Sequence, residues 1–410
     1  MTKFHQNLEK YAELVVKVGV NIQQGQTLVV NTRLDSAELV RLIVKKAYEI
    51  GAKDVIVNWS DDQVTRTKYE LAPEEVFHEY PKWRAKEIEE LAENGAAFIA
   101  IESADPDLLK GINPERISNS QKAAGKALKT YRRYIQSDKV SWTVIAAPSE
   151  AWADKVFPNE PKETRVSKLW EAIFKACRVD LADPIEAWKT HDTTLHEKVS
   201  YLNSKRYKKL HYLAPGTDLT IELPENHLWV GAGSVNEKGF EFMANMPTEE
   251  VFTVPVKTGV NGVVSSTKPL SYAGNIIDQF SITFENGRIV DVKAVEGEEI
   301  LKRLVETDEG SHYLGEVALV PFNSPISQSN LLFLSTLFDE NASNHLAIGS
   351  AYAFCIEGGK QMSSEELEAN GLNESLTHVD FMIGSDQMDI DGITADGKSE
   401  PVFRKGDWAF

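Results

Sequence analysis

The pattern of strand and helix signals changes near residue 206, and this change restricts the chain to two differently built regions. Before that point, strand-like and helix-like segments alternate: residues 27–31 are a short β-branched run, 36–50 have helical periodicity, and 54–58 are a second strand. A strand, a helix and a strand in this order form a βαβ unit, whose crossover makes the two strands parallel. We therefore expect the first region to be an open, mostly parallel α/β sheet with helices on both faces.

The remaining segments extend this division. The first region has further strand candidates at 96–101 and 142–147 and helix candidates at 73–94, 114–136 and 163–177. After residue 206 the strands are closely spaced, at 209–212, 218–223, 251–256, 281–285 and 288–294, with helices at 297–307 and 330–338. Asn286-Gly287 between two alternating runs predicts a hairpin, and Asp391-Gly392 and Asp396-Gly397 suggest two more. The predicted fold class is α/β followed by α+β: a Rossmann-like domain over residues 1–208 and an antiparallel-β-rich domain over residues 209–410.

Charge is divided as unevenly as the secondary structure. The formal net charge is −18, but residues 1–215 hold 33 Lys and Arg against 31 Asp and Glu, whereas residues 216–410 hold 11 against 31. The second region thus carries a balance of −20, which repels nucleic acid backbones and attracts cations, whether metal ions or an ammonium group. Solubility alone is the alternative explanation. We predict no nucleic acid partner.

Several protein classes are excluded or disfavoured by what the sequence lacks. No apolar run approaches the roughly 18 residues of a membrane span, and the N-terminal segment lacks the apolar core of a signal peptide, so we expect a cytoplasmic protein without a membrane partner. Neither glycine-rich phosphate-binding motif follows a strand, and Gly231-Ala-Gly233 is typical of a turn. Cys177 and Cys355 lie far apart in apolar surroundings and are expected to be buried thiols.

The nine histidines are scarce enough that a metal or acid–base site should use them. His191 and His196 are five residues apart on a predicted helix, which places their side chains about 140° apart, so we expect a solvated helix face. His78, in an acidic segment, has the same interpretation. The H-E-x-x-H motif of single-metal proteases does not occur.

A third group of residues lies in apolar surroundings, where an unpaired charge is costly. His378 and Asp380 project from the same face of a predicted buried strand at 376–383, which makes a nitrogen and oxygen half-site for a metal, although this pattern taken alone favours a structural pair. Glu316 enters an apolar strand, and Glu250 directly precedes another. Glu340, which His345 follows, comes at the C-terminal end of an apolar helix, a poor place for uncompensated negative charge.

Charge counting favours two metal ions over one. Four carboxylates and two neutral imidazoles would be balanced by two divalent ions, and a shared carboxylate can bridge ions about 4 Å apart. The chemistry that follows is attack of a metal-activated water on an amide or an ester. At this point phosphoesters remain equally open as substrates.

Long motifs surround these candidates and are similar to those of a known family. They are Asn245-Met-Pro-Thr-Glu-Glu-Val-Phe252, Leu314-Gly-Glu-Val-Ala-Leu-Val-Pro321, Thr336-Leu-Phe-Asp-Glu-Asn-Ala342 with His345, Tyr352, and Asn373-x-Ser-x-x-His-Val-Asp-Phe-Met-Ile-Gly384. They closely resemble the thermophilic-type metallo-aminopeptidases, the family of aminopeptidase T and aminopeptidase S. The resemblance runs along the whole chain.

The resemblance implies removal of the N-terminal residue from peptides with a free N-terminus by a co-catalytic dimetal centre. Zinc or cobalt are the usual metals, with manganese or magnesium as alternatives. It implies Tyr352 as the donor to the tetrahedral intermediate, a carboxylate such as Glu250 or Glu316 as general base, and a homodimer with an enclosed cavity. The implied ligands are Glu250, Glu316, His345, His378 and Asp380, with Glu340 as a further ligand.

Two other interpretations stay open from the residues alone. One is a dinuclear phosphoesterase, against which the −20 balance of the second region argues. The other is a metal-stabilised binding protein without activity. Beside the ligands, we expect Asn341 to orient one of them and Asp339 to accept hydrogen bonds at the helix end.

Overall fold

The computed structural model describes residues 2–103, 105–273 and 275–410, which divide into two units. One unit is formed by Met1–Thr190 and Gly233–Pro247, and the other by His191–Ala232 and Thr248–Phe410. Residues 191–208 therefore belong with the C-terminal unit, and a short segment of the second half belongs with the N-terminal unit. The boundary at 208/209 stays a prediction as a limit between independently folding domains.

The N-terminal unit is built on a parallel sheet with four strands among the described residues, in the order β2-β1-β3-β4. The predicted open parallel sheet is confirmed. The strands are β1 (Thr27–Arg33), β2 (Asp54–Ser60), β3 (Ala97–Glu102) and β4 (Trp142–Ala146). The helices are α1 (Lys3–Leu14), α2 (Ala37–Ile50), α3 (Asp62–Leu71), α4 (Lys82–Glu93), α5 (Pro114–Ala127), α6 (Lys129–Gln136), α7 (Glu150–Val156), α8 (Lys162–Ala176) and α9 (Pro184–Lys205), the last of which continues into the second unit.

Proline and glycine set the helix limits in this unit. α2 ends at Gly51, whose φ of 105° lies in the left-handed region that glycine adopts without strain. The single helix predicted at 73–94 is wrong, because Pro81 interrupts it: Glu74–His78 is a 3₁₀ turn and α4 starts only at Lys82.

The C-terminal unit is rich in antiparallel sheet, as predicted. Its larger sheet, the large antiparallel sheet, has the order β12-β13-β11-β6-β5-β18-β19-β20, with β14 paired to β13. A second one, the small antiparallel sheet, has the order β17-β16-β15-β10-β7. The strands from β5 to β14 are β5 (Lys209–Ala214), β6 (Thr217–Glu222), β7 (Val230–Gly231), β8 (Ser234–Val235), β9 (Glu241–Phe242), β10 (Val251–Thr253), β11 (Val260–Ser265), β12 (Leu270–Tyr272), β13 (Asn275–Glu285) and β14 (Arg288–Glu296), of which β8 and β9 pair within the N-terminal unit.

The elements after β14 complete this unit. The remaining strands are β15 (Leu314–Leu319), β16 (His345–Gly349), β17 (His378–Met382), β18 (Asp389–Ile393), β19 (Ser399–Arg404) and β20 (Asp407–Trp408). The helices are α10 (Glu298–Val305), α11 (Pro325–Gln328), α12 (Thr336–Asp339) and α13 (Ser364–Ala369). The helix predicted at 330–338 is thus mostly wrong, because Asn330 and Leu334 have positive φ angles of 53° and 56°.

The predicted hairpins have mixed outcomes. Asn286 and Gly287, at φ 50° and 81°, connect β13 to β14 as a turn with two positive φ angles requires. Asp396-Gly397 also lies in a turn, between β18 and β19. The hairpin at Asp391-Gly392 is wrong: Gly392 lies inside β18, where an added Cβ would come within 2.6 Å of the Tyr207 ring. Glycine is needed there for packing and not for a turn.

Both cysteines, Cys177 and Cys355, are buried, as expected. Within the described ranges, no helix combines the length and the apolar composition that crossing a membrane requires. The cytoplasmic location stays a prediction.

Candidate metal centre

The small antiparallel sheet has one apolar face and one face that carries charged residues. Alternate residues along its strands, among them Val251, Val317, Leu319, Leu346 and Phe381, pack into the main hydrophobic core of the C-terminal unit. The residues between them point the other way. Strand register places Glu316, Ala347 and Asp380 in one row across β15, β16 and β17, and Ala318, His345 and Met382 in another.

Predicted ligands therefore meet on one sheet face although they are far apart in sequence. His378 lies two residues before Asp380 on β17, on the same face. Glu250 directly precedes β10. The strand predicted at 376–383 is shorter than expected, and Leu376 before it is exposed. The small side chain of Ala347 lies between Glu316 and Asp380 and leaves the space above it to the longer side chains.

The ligand atoms form two groups of three donors. Glu250, Glu316 and His345 make one group and are all buried, while Glu316, His378 and Asp380 make the other, whose last two members are partly exposed. Within each group, the donor atoms lie within 4.8 Å of one another. Glu316 belongs to both. The second group therefore forms the more accessible side of the centre.

The distances between donor atoms match those of metal ligands better than those of hydrogen bonds. His345 Nε2 lies 3.2 Å from a Glu250 oxygen and 3.4 Å from a Glu316 oxygen, yet this buried nitrogen makes no hydrogen bond. Asp380 Oδ1, 3.3 Å from His378 Nε2, is likewise without a hydrogen bond. Two donors about 2.05 Å from a tetrahedral zinc ion are roughly 3.3 Å apart. The donor set therefore fits divalent metal ions.

The other ring nitrogen of each histidine faces a backbone carbonyl. His378 Nδ1 lies 2.7 Å from Ser350 O, and His345 Nδ1 lies 3.2 Å from Ser343 O. An Nδ1–H donated to these carbonyls leaves the Nε2 lone pair directed at the carboxylates, which is the usual arrangement around a metal-binding histidine. The backbone thus selects the tautomer that binding requires.

The site attracts positive charge strongly. Burial alone would lower the pKa of His345, but the Glu250 and Glu316 carboxylates outweigh it and raise that pKa well above its usual value. The pKa of His378 rises to about 9, because Asp380 and Glu316 outweigh burial. Burial raises the pKa of Glu316, whereas the two imidazoles hold the pKa of Asp380 below its usual value against the effect of burial. In the absence of other cations, protons supply the positive charge.

Glu340 is buried near the centre, but neither three-donor group found among the described residues includes it. Burial, together with the charges of Glu250 and Asp380, raises its pKa well above the ordinary value. Asn341 Nδ2 donates to Leu337 O and lies 3.4 Å from a Glu340 oxygen, while Asn341 Oδ1 accepts from the N–H of Glu249. Asn341 thus ties the segment before Glu250 to the turn that carries Glu340.

Asp339 has a structural role in the same turn. Its carboxylate accepts hydrogen bonds from the N–H groups of Phe333 and Ser335. Burial raises its pKa to about 7 despite these bonds. This agrees with the acceptor role expected for a residue at a helix end.

Tyr352 lies in the loop that follows β16. Its ring centroid is 4.8 Å from that of His378. Burial, reinforced by the Glu316 and Asp380 carboxylates, raises the pKa of the phenol well above its usual value, so the hydroxyl keeps its proton. The Tyr352 hydroxyl is therefore able to donate a hydrogen bond, and its ring lies beside the more accessible group of ligands.

Asn373 holds that loop in place, a role that its position in a sequence motif did not reveal. Its Nδ2 donates to Gly310 O and to Gly349 O, each at 2.7 Å, and its backbone carbonyl accepts from Ala351. Gly349 has a φ of 118°, and an added Cβ there would come within 2.2 Å of Thr377 O. Asn373 thereby fixes the backbone on either side of Ser350, whose carbonyl faces His378.

Of the histidines placed on solvated surfaces, His196 and His78 are exposed, as predicted, but His191 is not. His191 Nε2 lies 2.7 Å from Thr248 O, and the side chain is only 11% exposed. It anchors the segment just before Glu250. The prediction failed because this contact joins residues 57 positions apart, which helical periodicity cannot show.

Known proteins are similar to this chain along nearly its whole length. Residues 4–408 match the family described as thermophilic metalloprotease (M29). The chain is 70% identical to aminopeptidase AmpS of Bacillus subtilis (strain 168) over 410 residues, covering 100% of both chains. It is 54% identical to aminopeptidase 2 of Geobacillus stearothermophilus, covering 100% of this chain and 99% of the relative. A solved structure of wild-type AmpT from Thermus thermophilus superposes with a TM-score of 0.94 at 43% identity, covering 99% of this chain and 100% of that one.

A metal-dependent hydrolase is thus the class to which the fold and the relatives point. The chain belongs to the thermophilic metalloprotease family M29. It is a metal-dependent aminopeptidase, and the sequence resemblance is confirmed at this level.

Proposed function

We propose that this enzyme removes the N-terminal residue of peptides at a co-catalytic centre of two divalent ions. One ion would be held by Glu250, Glu316 and His345, and the other by Glu316, His378 and Asp380. The observation that carries this proposal is the orientation of Glu316: its Oε1 lies 3.4 Å from His345 Nε2 and its Oε2 lies 3.5 Å from His378 Nε2. Each carboxylate oxygen is directed at a different donor group, so Glu316 would contribute to holding both ions.

The charges of the ligand side chains support two divalent ions and suggest that Glu340 balances the remaining charge. Glu250, Glu316 and Asp380 supply three negative charges, and neutral imidazoles supply none, so two divalent ions would leave one positive charge. Ionised Glu340, buried beside them, would cancel that charge. We therefore keep Glu340 as a further ligand or as the counter-charge of the centre. Zinc or cobalt fits this nitrogen and oxygen set, with manganese or magnesium as alternatives.

When bound, the two ions supply a water of lowered pKa and polarise the scissile carbonyl. The proton that leaves the attacking water needs a carboxylate to accept it. Because both oxygens of Glu316 face imidazoles, we assign general-base catalysis to Glu250 in preference to Glu316. The Tyr352 hydroxyl, which keeps its proton, donates a hydrogen bond to the oxygen that becomes negative in the transition state.

The substrate's free N-terminus explains the acidic surroundings. A peptide with a free amine carries an ammonium group, which the negative field of the C-terminal unit attracts. We also propose a homodimer with an enclosed cavity and a cytoplasmic location, as the family resemblance implies. Sedimentation velocity at several protein concentrations tests the dimer.

Metal removal and replacement test the proposed centre. The enzyme is stripped with a chelator, and zinc, cobalt or manganese is restored separately while bound metal is counted per chain. We expect amino-acyl anilides to be cleaved only after metal is restored, with full activity near two ions per chain, and N-blocked anilides to be resistant. Activity that survives complete metal removal would contradict the proposal, and saturation at one ion would reduce it to a single-metal site.

The same preparation separates the two hydrolase interpretations. It is assayed with bis-p-nitrophenyl phosphate beside leucyl p-nitroanilide. Turnover of the phosphodiester without turnover of the anilide would favour the phosphoesterase alternative. We expect the reverse.

A further inference from the structure

We propose that a half-buried aromatic surface beside the metal centre binds the side chain of the substrate's N-terminal residue and selects large apolar ones. Phe252 and Phe354 are the specificity-determining residues of this surface, which also includes the ring of Tyr352. The inference rests on the proposed function, because it assumes that the scissile bond lies at the ligand groups. We call Phe252, Tyr352 and Phe354 the aromatic surface.

The three rings of the aromatic surface contact one another. Tyr352 and Phe354 are stacked, with centroids 5.2 Å apart and ring planes 17° apart. Phe252 meets both of them edge-on, at centroid distances of 6.1 Å. These are favourable aromatic geometries, so the rings form one continuous aromatic patch. One charged group lies next to it, because Lys360 Nζ is 5.8 Å from the centroid of the Phe354 ring.

This patch is the outer layer of a small apolar cluster separate from the main core. Its inner layer is fully buried and consists of Val254, Cys355, Ile356 and Leu372, whereas all three rings of the aromatic surface are partly exposed. A buried backing makes the outer rings rigid, because they have no room to withdraw. Small-molecule sites are lined mainly by apolar and aromatic side chains with a few polar groups, and this patch beside the ligand groups has that composition.

The aromatic surface is continuous with the metal ligands. Phe252 comes two residues after Glu250 and pairs in register with Ala318, which pairs in turn with His345. Phe252 and His345 thus share a sheet face, with only the methyl group of Ala318 between them. At the other end, the ring of Tyr352 lies 4.8 Å from that of His378. The patch therefore borders both groups of donors.

This continuity identifies the occupant. An aminopeptidase cuts the bond after the first residue, so the Cα and side chain of that residue lie within a few bond lengths of the carbonyl carbon under attack. Every side chain in the two donor groups is charged or ionisable, and an acidic substrate side chain would be repelled by their carboxylates. The aromatic surface is the neighbouring feature that gains from contact with an apolar group. Leucine, methionine and phenylalanine are therefore favoured over alanine, glycine and acidic residues.

Substitution of Phe354 tests the assignment, since this ring is in the patch but outside the catalytic groups. We compare kcat/KM for leucyl, phenylalanyl, alanyl and glycyl p-nitroanilides. In Phe354→Ala, the leucyl-to-alanyl ratio is expected to fall about 10-fold or more, because the leucine side chain loses its contact surface while alanine has little to lose. Phe354→Leu keeps an apolar side chain and should lower the ratio less. Phe252→Ala should act in the same direction.

A matched control removes an equivalent ring elsewhere. Phe410 is also half-buried, and it stacks on Tyr201 with centroids 3.6 Å apart, against a different apolar cluster of the same unit. Phe410→Ala should leave the leucyl-to-alanyl ratio unchanged. Metal content and thermal unfolding are measured for every variant, and if Phe354→Ala does not fold, Phe354→Leu and Phe252→Ala decide the question.

Several outcomes would overturn the assignment. If kcat/KM falls by the same factor for all four substrates, the ring only supports Tyr352. If Phe354→Ala dissociates a dimer without changing the ratio, the patch is covered by a second copy of the chain. A wild-type enzyme that cleaves alanyl and leucyl anilides equally well would also reject the proposal. None of these results touches the proposed function, which fails only if hydrolysis proceeds without metal or without a free amine.

Discussion

The parallel sheet of the N-terminal unit and the small antiparallel sheet of the C-terminal unit bury very different side chains. In the parallel sheet, the fully buried strand residues include Leu28, Val29 and Ile99. In the small antiparallel sheet, β15 and β16 are buried along their whole length and yet contain Glu316 and His345. Burying an ionisable group costs free energy unless it is paired or bound to a metal. The first sheet therefore contributes stability, while one face of the second reduces stability in favour of binding.

The largest loss of activity is expected from substitution of Glu316, the residue shared by both donor groups. Glu316→Gln removes a charge from each group, and losing metal catalysis worth several kcal/mol corresponds to a fall in kcat/KM of about 1,000-fold or more. Bound metal should decrease as well. Because burial raises the pKa of Glu316, the neutral glutamine should not lower the thermal stability of the metal-free protein.

A substitution in the parallel sheet should lower stability and leave activity unchanged, the opposite of what is expected for Glu316→Gln. Ile99→Ala leaves a cavity in β3 and should cost about 2–5 kcal/mol of unfolding free energy. Metal content and activity per folded molecule should stay at the wild-type level. If Glu316→Gln destabilised the metal-free protein as much as Ile99→Ala does, the contrast between the two sheets would be refuted.

The next largest loss of activity is expected when the Tyr352 hydroxyl, a hydrogen-bond donor beside the charged face, is removed. Tyr352→Phe deletes only the hydroxyl and should lower kcat about 100- to 1,000-fold, the usual cost of one oxyanion donor. KM and metal content should not change, because the ring and its contact with His378 remain. Tyr272→Phe, in β12 of the large antiparallel sheet, is the matched control and should have wild-type kcat. A Tyr352→Phe enzyme with normal kcat would remove the tyrosine from the mechanism.

A smaller loss of activity is expected for substitution of Asn373, which positions the loop that carries Tyr352. Asn373→Ala removes the donors to Gly310 and Gly349 and should lower activity about 10- to 100-fold, as for other groups that orient metal ligands. If Asn373 acts through Tyr352, its effect in a Tyr352→Phe background should be much smaller than in the wild type. Fully additive losses would indicate a general structural role. Asn373→Asp, which lacks the two N–H donors, should resemble the alanine variant.

The last prediction concerns metal affinity and not turnover: binding of metal by the charged face should depend on pH. The pKa of His378 is about 9, and that of His345 is also raised, so both imidazoles are protonated at pH 7 in the metal-free chain. A metal ion needs the neutral form, so binding at pH 7 must release protons, and affinity should rise by up to about tenfold per proton for each pH unit toward pH 9. Titration calorimetry in buffers of different ionisation enthalpy counts these protons. Heats that do not depend on the buffer would show that the imidazoles are already neutral.

The parts of the fold that local signals encode were predictable. β1 and β2 of the parallel sheet contain short β-branched runs, and the alternation of strands and helices was enough to indicate their parallel pairing. His378 and Asp380 were also found correctly on one face, because two residues on the same strand need no tertiary information. The 330–338 helix failed because apolar composition could not reveal two positive φ angles.

The spacing of the site residues in the sequence was not enough to predict that they lie close together in the fold. Glu250, Glu316 and His345 meet because β10, β15 and β16 pair in one register, and a shift of a single residue would turn these side chains into the apolar core. The sequence suggested these residues through their misplaced charge and through the family resemblance, not through their positions. His191 and Asn373 act through backbone carbonyls of distant segments, which no sequence pattern records.

The strand order of the small antiparallel sheet also has a consequence for the chain during its synthesis. β17 is the edge strand and is the last of the sheet's strands in the chain, and it carries both His378 and Asp380. A nascent chain whose residues beyond 377 have not yet emerged from the ribosome has Glu250, Glu316 and His345 but lacks His378 and Asp380, two of the three donors of the second group. Under the proposed two-ion centre, we therefore expect peptidase activity only after β17 has paired with β16.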